Sequence, residues 1–180
     1  MDGTTGRTVG DATGPRIASL CTGYGGLDIA VQQIYGGEVV VCAENDKHAA
    51  RIVAHHYPNV PNVGDIKTVD WSPWVGGIDI LTAGYPCQPF SHAGKMRGED
   101  DPRHIWPHVA QAIRELGPRL VVLENVRGHL RLGFGRVIRD LADLGYVGRW
   151  GCLRAAEAGA CHRRERVFIV AWPVPDPHVA

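Results

Sequence analysis

The chain has 180 residues, a length that predicts one domain with a hydrophobic core of its own. Hydrophobic residues make up 44% and charged residues 21% of it, values that are typical of globular proteins and exclude extensive disorder. Residues 1–90 carry five basic against nine acidic side chains (−4), and residues 91–180 carry fourteen against ten (+4), with nine arginines between Arg127 and Arg166. This asymmetry allows a polyanion to bind on one side of the protein, although a solvated arginine-rich surface would give the same pattern.

The sequence shows no sign of a membrane or secreted protein. No apolar run approaches the ~18 residues of a membrane helix, and residues 1–15 lack the apolar stretch of a signal peptide. The five cysteines are odd in number and contain no CxxC pair, which favours a reduced compartment over a disulfide framework. We therefore expect a cytoplasmic protein with no membrane partner, in which a domain at residues 16–173 lies between a flexible N-terminal tail (1–15) and a proline-rich C-terminal tail (174–180).

Strand-like and helix-like segments alternate along the chain. Apolar and β-branched runs predict strands at residues 16–21, 38–43, 78–83, 120–124, 146–155 and 166–172, with one more just before Gly64. Apolar residues at helical spacing predict helices at residues 27–34, 46–56, 106–116 and 134–144, of which Asp46 can cap the second. The alternation predicts an α/β fold with a mostly parallel sheet and helices on both faces, and such sheets bind ligands at the carboxyl ends of their strands.

A glycine-rich turn, GYGG at residues 23–26, follows the first predicted strand and opens the first helix. Glycine lets the backbone approach a ligand closely, and a helix N-terminus attracts a carboxylate or phosphate. Glu44 ends the second strand, where an acid can hydrogen-bond both ribose hydroxyls, and the Asp65 carboxylate could accept from an adenine amino group. Together these residues predict a nucleoside-containing cofactor, with a merely structural turn as the alternative. Asp28 stands where the dinucleotide fingerprint has glycine, which disfavours NAD.

The hexapeptide PCQPFS, residues 86–91, directly follows a predicted strand. Its two prolines stiffen the loop and would hold the Cys87 sulfur in one place, as covalent catalysis requires. A free cysteine titrates near pH ~8.5, so nearby positive charge would be needed to raise its thiolate fraction, and Arg103, Arg164 and Arg166 are candidates. Cys87 is therefore predicted to be a nucleophile, with a cysteine that serves only packing as the alternative.

Charged side chains also lie at the ends of two later strands. Glu124 ends the apolar run LVVL at the rim of the expected site, where a protonated carboxyl group could donate to a ring nitrogen of a bound base. Arg164 and Arg166 alternate at the start of the last strand, so they would point to one face and suit phosphate or carbonyl oxygens. A helix-capping acid and a solvated charge run are the alternative interpretations. The two C-terminal cysteines lack the further ligands that a zinc site needs, so no metal is predicted.

These segments together resemble the DNA (cytosine-5) methyltransferase family. The resemblance runs from about Ile17 to Ala171 and rests on LCTGYGGLD, the acid in CAEND, GDI, PCQPFSHAGKMRGEDDPR, ENV and RRERVFIVA, in this order. It implies a Rossmann-like, S-adenosylmethionine-dependent methyltransferase fold and methylation at C5 of a cytosine flipped out of duplex DNA. It also implies a role of the kind found in restriction-modification, in a prokaryote or a virus-infected host cell.

Carried over to this chain, the resemblance gives each candidate residue a role. Cys87 would add to C6 of cytosine, and Glu124 would protonate or hydrogen-bond N3. Arg164 and Arg166 would help to hold the flipped base and order the catalytic loop. The cofactor would contact the glycine-rich turn with its methionine end, Glu44 with its ribose and Asp65 with its adenine. The cofactor-binding residues that the resemblance implies are Gly23, Tyr24, Gly25, Gly26, Leu27, Glu44, Asn45, Asp65, Ile66 and Pro86.

The sequence also departs from the family pattern. Cys21 stands where an aromatic residue commonly packs on adenine, Cys161-His162 replaces a common Pro-Gln pair, and Trp106 replaces a common leucine. The matching motifs do not include the variable target-recognition region or the final asparagine-containing loop of the family. We therefore expect a minimal catalytic domain or one half of a split enzyme whose second chain supplies target recognition.

Two other functions fit the same motifs. A catalytically inactive nucleic-acid-binding or decoy protein would keep the fold and lose turnover, although retention of Cys87, Glu124, Arg164 and Arg166 argues against it. Methylation of cytosine in RNA is the other alternative, because some relatives with this catalytic set act on transfer RNA. Incorporation of labelled methyl groups into DNA and RNA distinguishes these functions.

Overall fold

The computed structural model describes residues 14–86 and 105–175. Within these ranges the chain forms six strands, which are β1 (Arg16–Leu20), β2 (Glu38–Ala43), β3 (Ile80–Ala83), β4 (Leu120–Val126), β5 (Tyr146–Arg154) and β6 (Glu165–Pro173). The α-helices of the same ranges are α1 (Gly26–Tyr35), α2 (Lys47–His56), α3 (Trp106–Leu116) and α4 (Phe134–Asp143). None of the described helices is long and apolar enough to cross a membrane.

The described strands belong to one sheet in the order β2-β1-β3-β4-β6-β5. The first four strands in this order pair in parallel, whereas β6 runs antiparallel to both β4 and β5. Ser19 of β1 lies opposite Thr82 of β3, and Val126 of β4 lies opposite Arg166 of β6. Because β6 reverses direction, its first residues reach the edge at which the parallel strands end. The prediction of a mostly parallel sheet is confirmed.

Helices cover both faces of the sheet, and each face has its own core, as the sequence predicts. The larger core joins alternate strand residues such as Leu81 and Leu123 to Ile113 of α3 and Leu141 of α4. Side chains of neighbouring strand positions point to the opposite face, as in any β-strand. The smaller core therefore contains the other set of alternate residues, with Val31 of α1 and Val53 of α2 packed over Ile17 and Ile80.

Local signals set the ends of the helices at the carboxyl edge. The Asp46 side chain accepts hydrogen bonds from the backbone N–H groups of His48 and Ala49, both at 2.9 Å, so the predicted cap of α2 is confirmed. The first helix ends at Gly36, whose φ is 71°. These two helices place the glycine-rich turn and the end of β2 side by side.

The strand predicted just before Gly64 is wrong. In the described segment between α2 and β3 the chain makes a single bridge, between Cys42 and Asn62. Pro58 and Pro61 have no backbone N–H to donate, so this segment cannot continue a ladder along β2. The other predicted strands and the four helices are confirmed to within about two residues. The domain bounds at residues 16–173 stay a prediction, since residues 1–13 and 176–180 lie outside the described ranges.

Candidate active site

Two adjoining cavities open at the carboxyl edge of the parallel strands. One, of about 590 Å³, reaches from the end of β1 to the start of β6 and is lined by Glu124, Arg164 and Arg166; we call it the arginine cavity. The other, of about 490 Å³, lies beside the end of β2, and we call it the Glu44 cavity. The cavities share a wall made of Cys21, Gly23, Tyr24 and Gly84.

The backbone of the glycine-rich turn forms part of this shared wall. Gly23 has a φ of 57°, a left-handed conformation that glycine adopts without strain. A Cβ atom added at Gly23 would meet no atom within 4 Å, although the residue lines both cavities. The main chain is therefore open to close approach by a ligand at this position.

The other predicted residues of the turn take different positions. Tyr24 is 69% exposed and lines both cavities, while Gly26 and Leu27 line the arginine cavity. Gly25 precedes α1 and faces the ring of Tyr57, whose Cε2 atom would lie 3.5 Å from a Cβ at this position. The structure thus brings four of the five predicted turn residues to the cavity walls.

Glu44 directly follows β2 and is 9% exposed. Its Oε2 atom accepts a hydrogen bond from the Gly23 N–H at 2.7 Å, and its Oε1 atom accepts one from the Asp46 N–H at 2.8 Å. Because a carboxylate offers about four lone-pair sites, each oxygen keeps one site for a further donor. Main-chain groups therefore hold Glu44 in place while leaving it able to bind the hydroxyl groups of a ligand.

Asn45, Asp65, Ile66 and Pro86 line the same cavity. Asp65 begins a short 3₁₀ turn, in which its Oδ1 atom accepts from the Lys67 N–H at 3.1 Å. Ile66, the next residue, is 6% exposed and packs into the larger core. An apolar side chain beside a carboxylate suits a flat purine ring that carries an amino group.

The Glu44 cavity therefore fits a nucleoside-containing cofactor such as S-adenosylmethionine. Its volume of about 490 Å³ is in the range of small-molecule sites. The open main chain at Gly23, the Glu44 carboxylate and the Asp65–Ile66 pair offer separate contacts for the three parts of that molecule.

Glu124 and Arg166 form an ion pair in the arginine cavity. The Arg166 Nε atom lies 2.6 Å from Glu124 Oε1, and about a quarter of each side chain is exposed. The Oε2 atom of Glu124 lies 3.7 Å from the position of a Cβ on Gly84. Arg166 thus fixes one carboxylate oxygen, and the other faces the segment that follows β3.

Arg164 is exposed and lines the same cavity as Arg166. Glu165, between them, turns to Arg127, whose Nη1 atom lies 2.8 Å from Glu165 Oε2. The alternation of a β-strand therefore directs both arginines into the cavity and the intervening glutamate away from it. Three of the four predicted catalytic residues come together here.

Cys87, the fourth, lies outside the described residues, as does Arg103. The described chain reaches the shared wall at Gly84 and the Glu44 cavity at Pro86, which is bonded to Cys87. The segment after β3 therefore approaches the two cavities where they meet.

Two other cysteines near the site are unsuited to nucleophilic attack. Burial raises the pKa of Cys21 to about 12, and the negative charges of Glu44 and Asp65 add to this effect. Burial likewise raises the pKa of Cys42 to about 12. Thiols with such pKa values stay protonated at neutral pH. Within residues 14–86 and 105–175, no group of three or more histidine, cysteine, aspartate or glutamate residues could hold a metal ion.

Asn62 contributes to the site, and the sequence analysis missed it. Its Oδ1 atom accepts from the N–H groups of Glu44 at 3.0 Å and Gly64 at 3.1 Å, and its Nδ2 atom donates to the Glu44 carbonyl at 3.0 Å. These bonds join the segment of Glu44 to the segment of Asp65. The only signal in the sequence is an asparagine among prolines, which indicates a turn but not its partner.

Comparison with known proteins identifies similar sequences. The family model for C-5 cytosine-specific DNA methylases matches residues 15–176. Type II methyltransferase M.NgoMIV of Neisseria gonorrhoeae is 33% identical over 172 residues, which cover 87% of this chain and 54% of that protein. Type II methyltransferase M.PspPI of a Psychrobacter species is 38% identical over 161 residues, which cover 86% of this chain and 38% of that protein. The chain thus spans about half the length, or less, of these curated relatives.

Solved structures of other proteins have a similar fold. An Escherichia coli protein described as a DNA modification methyltransferase encoded within a prophage has a TM-score of 0.73 and 25% identity, over 88% of this chain and 47% of that chain. The Dnmt2 methyltransferase of S. pombe has a TM-score of 0.73 and 20% identity, over 91% of this chain and 52% of that chain. These likenesses confirm the predicted methyltransferase fold.

Proposed function

Because the chain belongs to the C-5 cytosine-specific DNA methylase family, we propose that it transfers a methyl group from S-adenosylmethionine to C5 of cytosine in DNA, through a covalent bond between Cys87 and C6. S-adenosylmethionine is the cofactor of this family, as the sequence predicts. The observation that carries the proposal is the wall shared by the two cavities, since it brings a nucleoside-sized site next to the Glu124–Arg166 pair.

S-adenosylmethionine, when bound, supplies an electrophilic methyl group. In the Glu44 cavity, the free lone pairs of the Glu44 carboxylate would accept hydrogen bonds from the ribose hydroxyls. Asp65 would accept from the adenine amino group beside Ile66, and the open main chain at Gly23 would border the methionine end. These contacts would hold the methyl group toward the arginine cavity.

In the arginine cavity, the Cys87 thiolate would add to C6 of the cytosine ring, and the electron pair of the C5–C6 double bond would move to C5. Glu124 would protonate or hydrogen-bond N3, which makes the ring electrophilic enough for this addition. C5 would then bond to the methyl group as the bond between that group and the sulfonium breaks, with its electron pair left on the sulfur of S-adenosylhomocysteine. C5 would lose its proton to solvent, the C5–C6 double bond would re-form as the thiolate leaves with its electron pair, and any proton on N3 would return to Glu124. Arg166 would keep Glu124 in place throughout.

Binding of DNA has to provide the free energy for flipping a base, which costs a few kcal/mol. The arginine-rich second half of the chain, with a charge of +4 over residues 91–180, supports this part of the proposal. Arg163 and Arg164 are exposed next to the cavity and can contact phosphate oxygens.

We also propose that a second chain supplies target recognition. M.NgoMIV and M.PspPI are about twice as long as the region they share with this chain, or longer. The residues assigned above bind one cofactor and one base, and none of them distinguishes one DNA sequence from another. A second chain that carries a recognition surface would give the cavities described above sequence specificity.

Covalent trapping on DNA that contains 5-fluorocytosine tests the chemistry. Fluorine at C5 cannot leave as a proton does, so the bond between Cys87 and C6 persists through a denaturing gel. Wild-type protein with S-adenosylmethionine should form this adduct, Cys87→Ser should not, and Cys161→Ser, which changes an exposed cysteine, should behave as wild type. Trapping by Cys87→Ser at the wild-type level would exclude Cys87 as the nucleophile.

A methyl-transfer assay tests the alternatives. When labelled S-adenosylmethionine is offered with DNA and RNA together, the label should enter DNA. Entry into RNA alone would identify RNA as the substrate. Binding to DNA without methyl transfer would identify an inactive relative. Co-expression with the unmatched part of a related methyltransferase should raise turnover strongly, and equal turnover with and without it would contradict the second-chain proposal.

A further inference from the structure

A buried carboxyl group without a role in the proposed chemistry lies beneath the arginine cavity. Asp28, in the first turn of α1, is 1% exposed. The Ser19 hydroxyl donates to its Oδ2 atom at 2.9 Å, and the Thr82 hydroxyl donates to its Oδ1 atom. Aspartate is almost never buried to this extent unless other groups hold it, so the position of Asp28 needs a physical explanation.

The contacts of Asp28 join the two sides of the site. Ser19 is in β1, and its hydroxyl also lies 2.8 Å from the hydroxyl of Thr22, the residue just before the glycine-rich turn. Thr82 is the residue opposite Ser19 in β3, the strand that leads to Gly84 at the shared wall. One carboxyl group therefore links the turn of the cofactor side to the segment that precedes Cys87.

Burial favours an uncharged carboxyl group at Asp28. The hydroxyls of Ser19, Thr22 and Thr82 supply one proton each, and the three short contacts Thr22–Ser19, Ser19–Asp28 and Thr82–Asp28 use them. Burial raises the pKa of Asp28 and outweighs the opposing effect of its hydrogen bonds.

We propose that Asp28 is a positioning residue, which fixes the glycine-rich turn relative to the segment after β3 and thereby sets the distance between cofactor and nucleophile. The second part rests on the proposed function, whereas the coupling of the two segments does not. Distance matters because a displacement of about 1 Å between reacting groups can slow a reaction about 10²-fold. Asp28 acts through Ser19 and Thr82 and is assigned no contact with the reacting atoms.

Four variants separate this role from a contribution to stability alone. Asp28→Ala removes the carboxyl group, and Asp28→Asn keeps its shape and its capacity to hydrogen-bond. Thr82→Val keeps the volume of the side chain and removes its hydroxyl, which donates to Asp28 and lies 3.4 Å from the Ala18 carbonyl. Tyr146→Phe is the matched control, because it deletes a buried hydrogen bond of 2.7 Å to the Pro118 carbonyl at the far end of β5.

Amide hydrogen exchange on the protein without cofactor measures the coupling. Asp28→Ala and Thr82→Val should each speed exchange about tenfold in both residues 22–26, which include the turn, and the segment at residues 83–85, since a buried link between them is lost. Asp28→Asn should exchange as wild type does, and Tyr146→Phe should leave both segments unchanged. Faster exchange in one segment only, or in both segments of Tyr146→Phe, would overturn the proposal. If Asp28→Ala does not fold, Thr82→Val decides the question.

Single-turnover methyl transfer at saturating S-adenosylmethionine measures the effect on distance. Asp28→Ala and Thr82→Val should lower the rate constant by about 10²-fold, with little change in cofactor affinity, and Asp28→Asn should restore it. Wild-type rate constants in the folded variants would refute the effect on distance. If the wild-type protein transfers no methyl group even when it is co-expressed with the unmatched part of a related methyltransferase, the proposed function fails, and the exchange experiment still decides whether Asp28 couples the two segments.

Discussion

The two cavities, which form one cleft, hold their glutamate side chains in different ways. In the Glu44 cavity, main-chain N–H groups of Gly23 and Asp46 hold the Glu44 carboxylate, at 2.7 and 2.8 Å. In the arginine cavity, one side chain holds another, with Arg166 Nε 2.6 Å from Glu124. The ends of β1 and β2 are parallel neighbours that bring their turns together, whereas β4 and β6 meet through an antiparallel pair.

This difference predicts that the two cavities have different roles. Residues held by the main chain provide a fixed frame for binding, while a pair of charged side chains can respond to a proton or a substrate. The charges of the lining side chains differ as well. Glu44, Asp46 and Asp65 line the Glu44 cavity and suit a cationic cofactor, whereas Arg164 and Arg166 line the arginine cavity and suit an anion. Substitutions in the Glu44 cavity should therefore change affinity, and those in the arginine cavity should change chemistry.

The largest effect is expected for Glu124→Gln. Glutamine keeps the shape of the side chain but cannot deliver a proton to N3, so kcat should fall by about 10²–10⁴-fold. Cofactor affinity, measured by calorimetry, should stay at the wild-type value. Glu165→Gln is the matched control, because Glu165 is paired with Arg127 outside the cavity. A loss of cofactor affinity as large as the loss of kcat would break the division between the two cavities.

Glu44→Gln should show the reverse pattern. The loss of charge-assisted hydrogen bonds to a ribose should raise the cofactor Kd by about 10–100-fold. At saturating cofactor, kcat should be close to wild type. Glu38→Gln, which changes the exposed first residue of β2, serves as control. The comparison fails if Glu44→Gln lowers kcat at saturation while leaving Kd unchanged.

Asp28, which links the glycine-rich turn to β3, should make the free energy of unfolding depend on pH. Burial raises its pKa in the folded state, so the folded protein keeps this proton to a higher pH than the unfolded chain does. As the pH rises above the unfolded pKa of about 3.9, the free energy of unfolding should fall by up to about 1.4 kcal/mol per pH unit, until the pH passes the folded pKa. The titratable groups that face Asp28, Cys42 and Tyr57, have pKa values of about 12 and stay neutral throughout.

Urea unfolding of wild type and Asp28→Asn over a series of pH values checks this expectation. The stability of the variant relative to wild type should be constant below the unfolded pKa and should grow above it, because asparagine has no proton to lose. A difference that does not change with pH would mean that Asp28 titrates alike in both states.

The smallest effect is expected for Asn62→Ala. This change removes the bonds that hold the backbone of Glu44 but leaves the carboxylate with its own main-chain donors. A net loss of about one hydrogen bond corresponds to roughly a fivefold rise in cofactor Kd. Asn59→Ala, at an exposed position three residues earlier, is the control. If Asn62→Ala raised the cofactor Kd as much as Glu44→Gln does, the backbone support from Asn62 would matter as much as the Glu44 carboxylate itself.

Elements with local signals could be predicted to the residue. The helix α2 runs from Lys47 to His56 as expected, because Asp46 caps it and its apolar residues recur at helical spacing. The segment before Gly64 contains valines that suggest a strand, yet a strand needs a partner that accepts its N–H groups. Pro58 and Pro61 remove two of those groups, and their effect outweighs the propensity of the valines.

Single site residues could be predicted more readily than their partners. The position of Glu124 at the end of an apolar run placed it at the carboxyl edge, but its pairing with Arg166 depends on the antiparallel register of β4 and β6. Likewise, the sequence indicated nothing about Asp28 except that it disfavours NAD binding. Its burial follows from the opposition of Ser19 and Thr82, which no local pattern reveals.

The reversed direction of β6 bears on any attempt to re-engineer this cleft. In an open parallel sheet, loops that succeed the strands are the usual targets for diversification. Here Arg164 comes just before β6 and Arg166 lies at its start, whereas β6 ends at Pro173, opposite Tyr146. A library intended to alter substrate contacts on this flank should therefore randomise residues 162–166, at the start of β6.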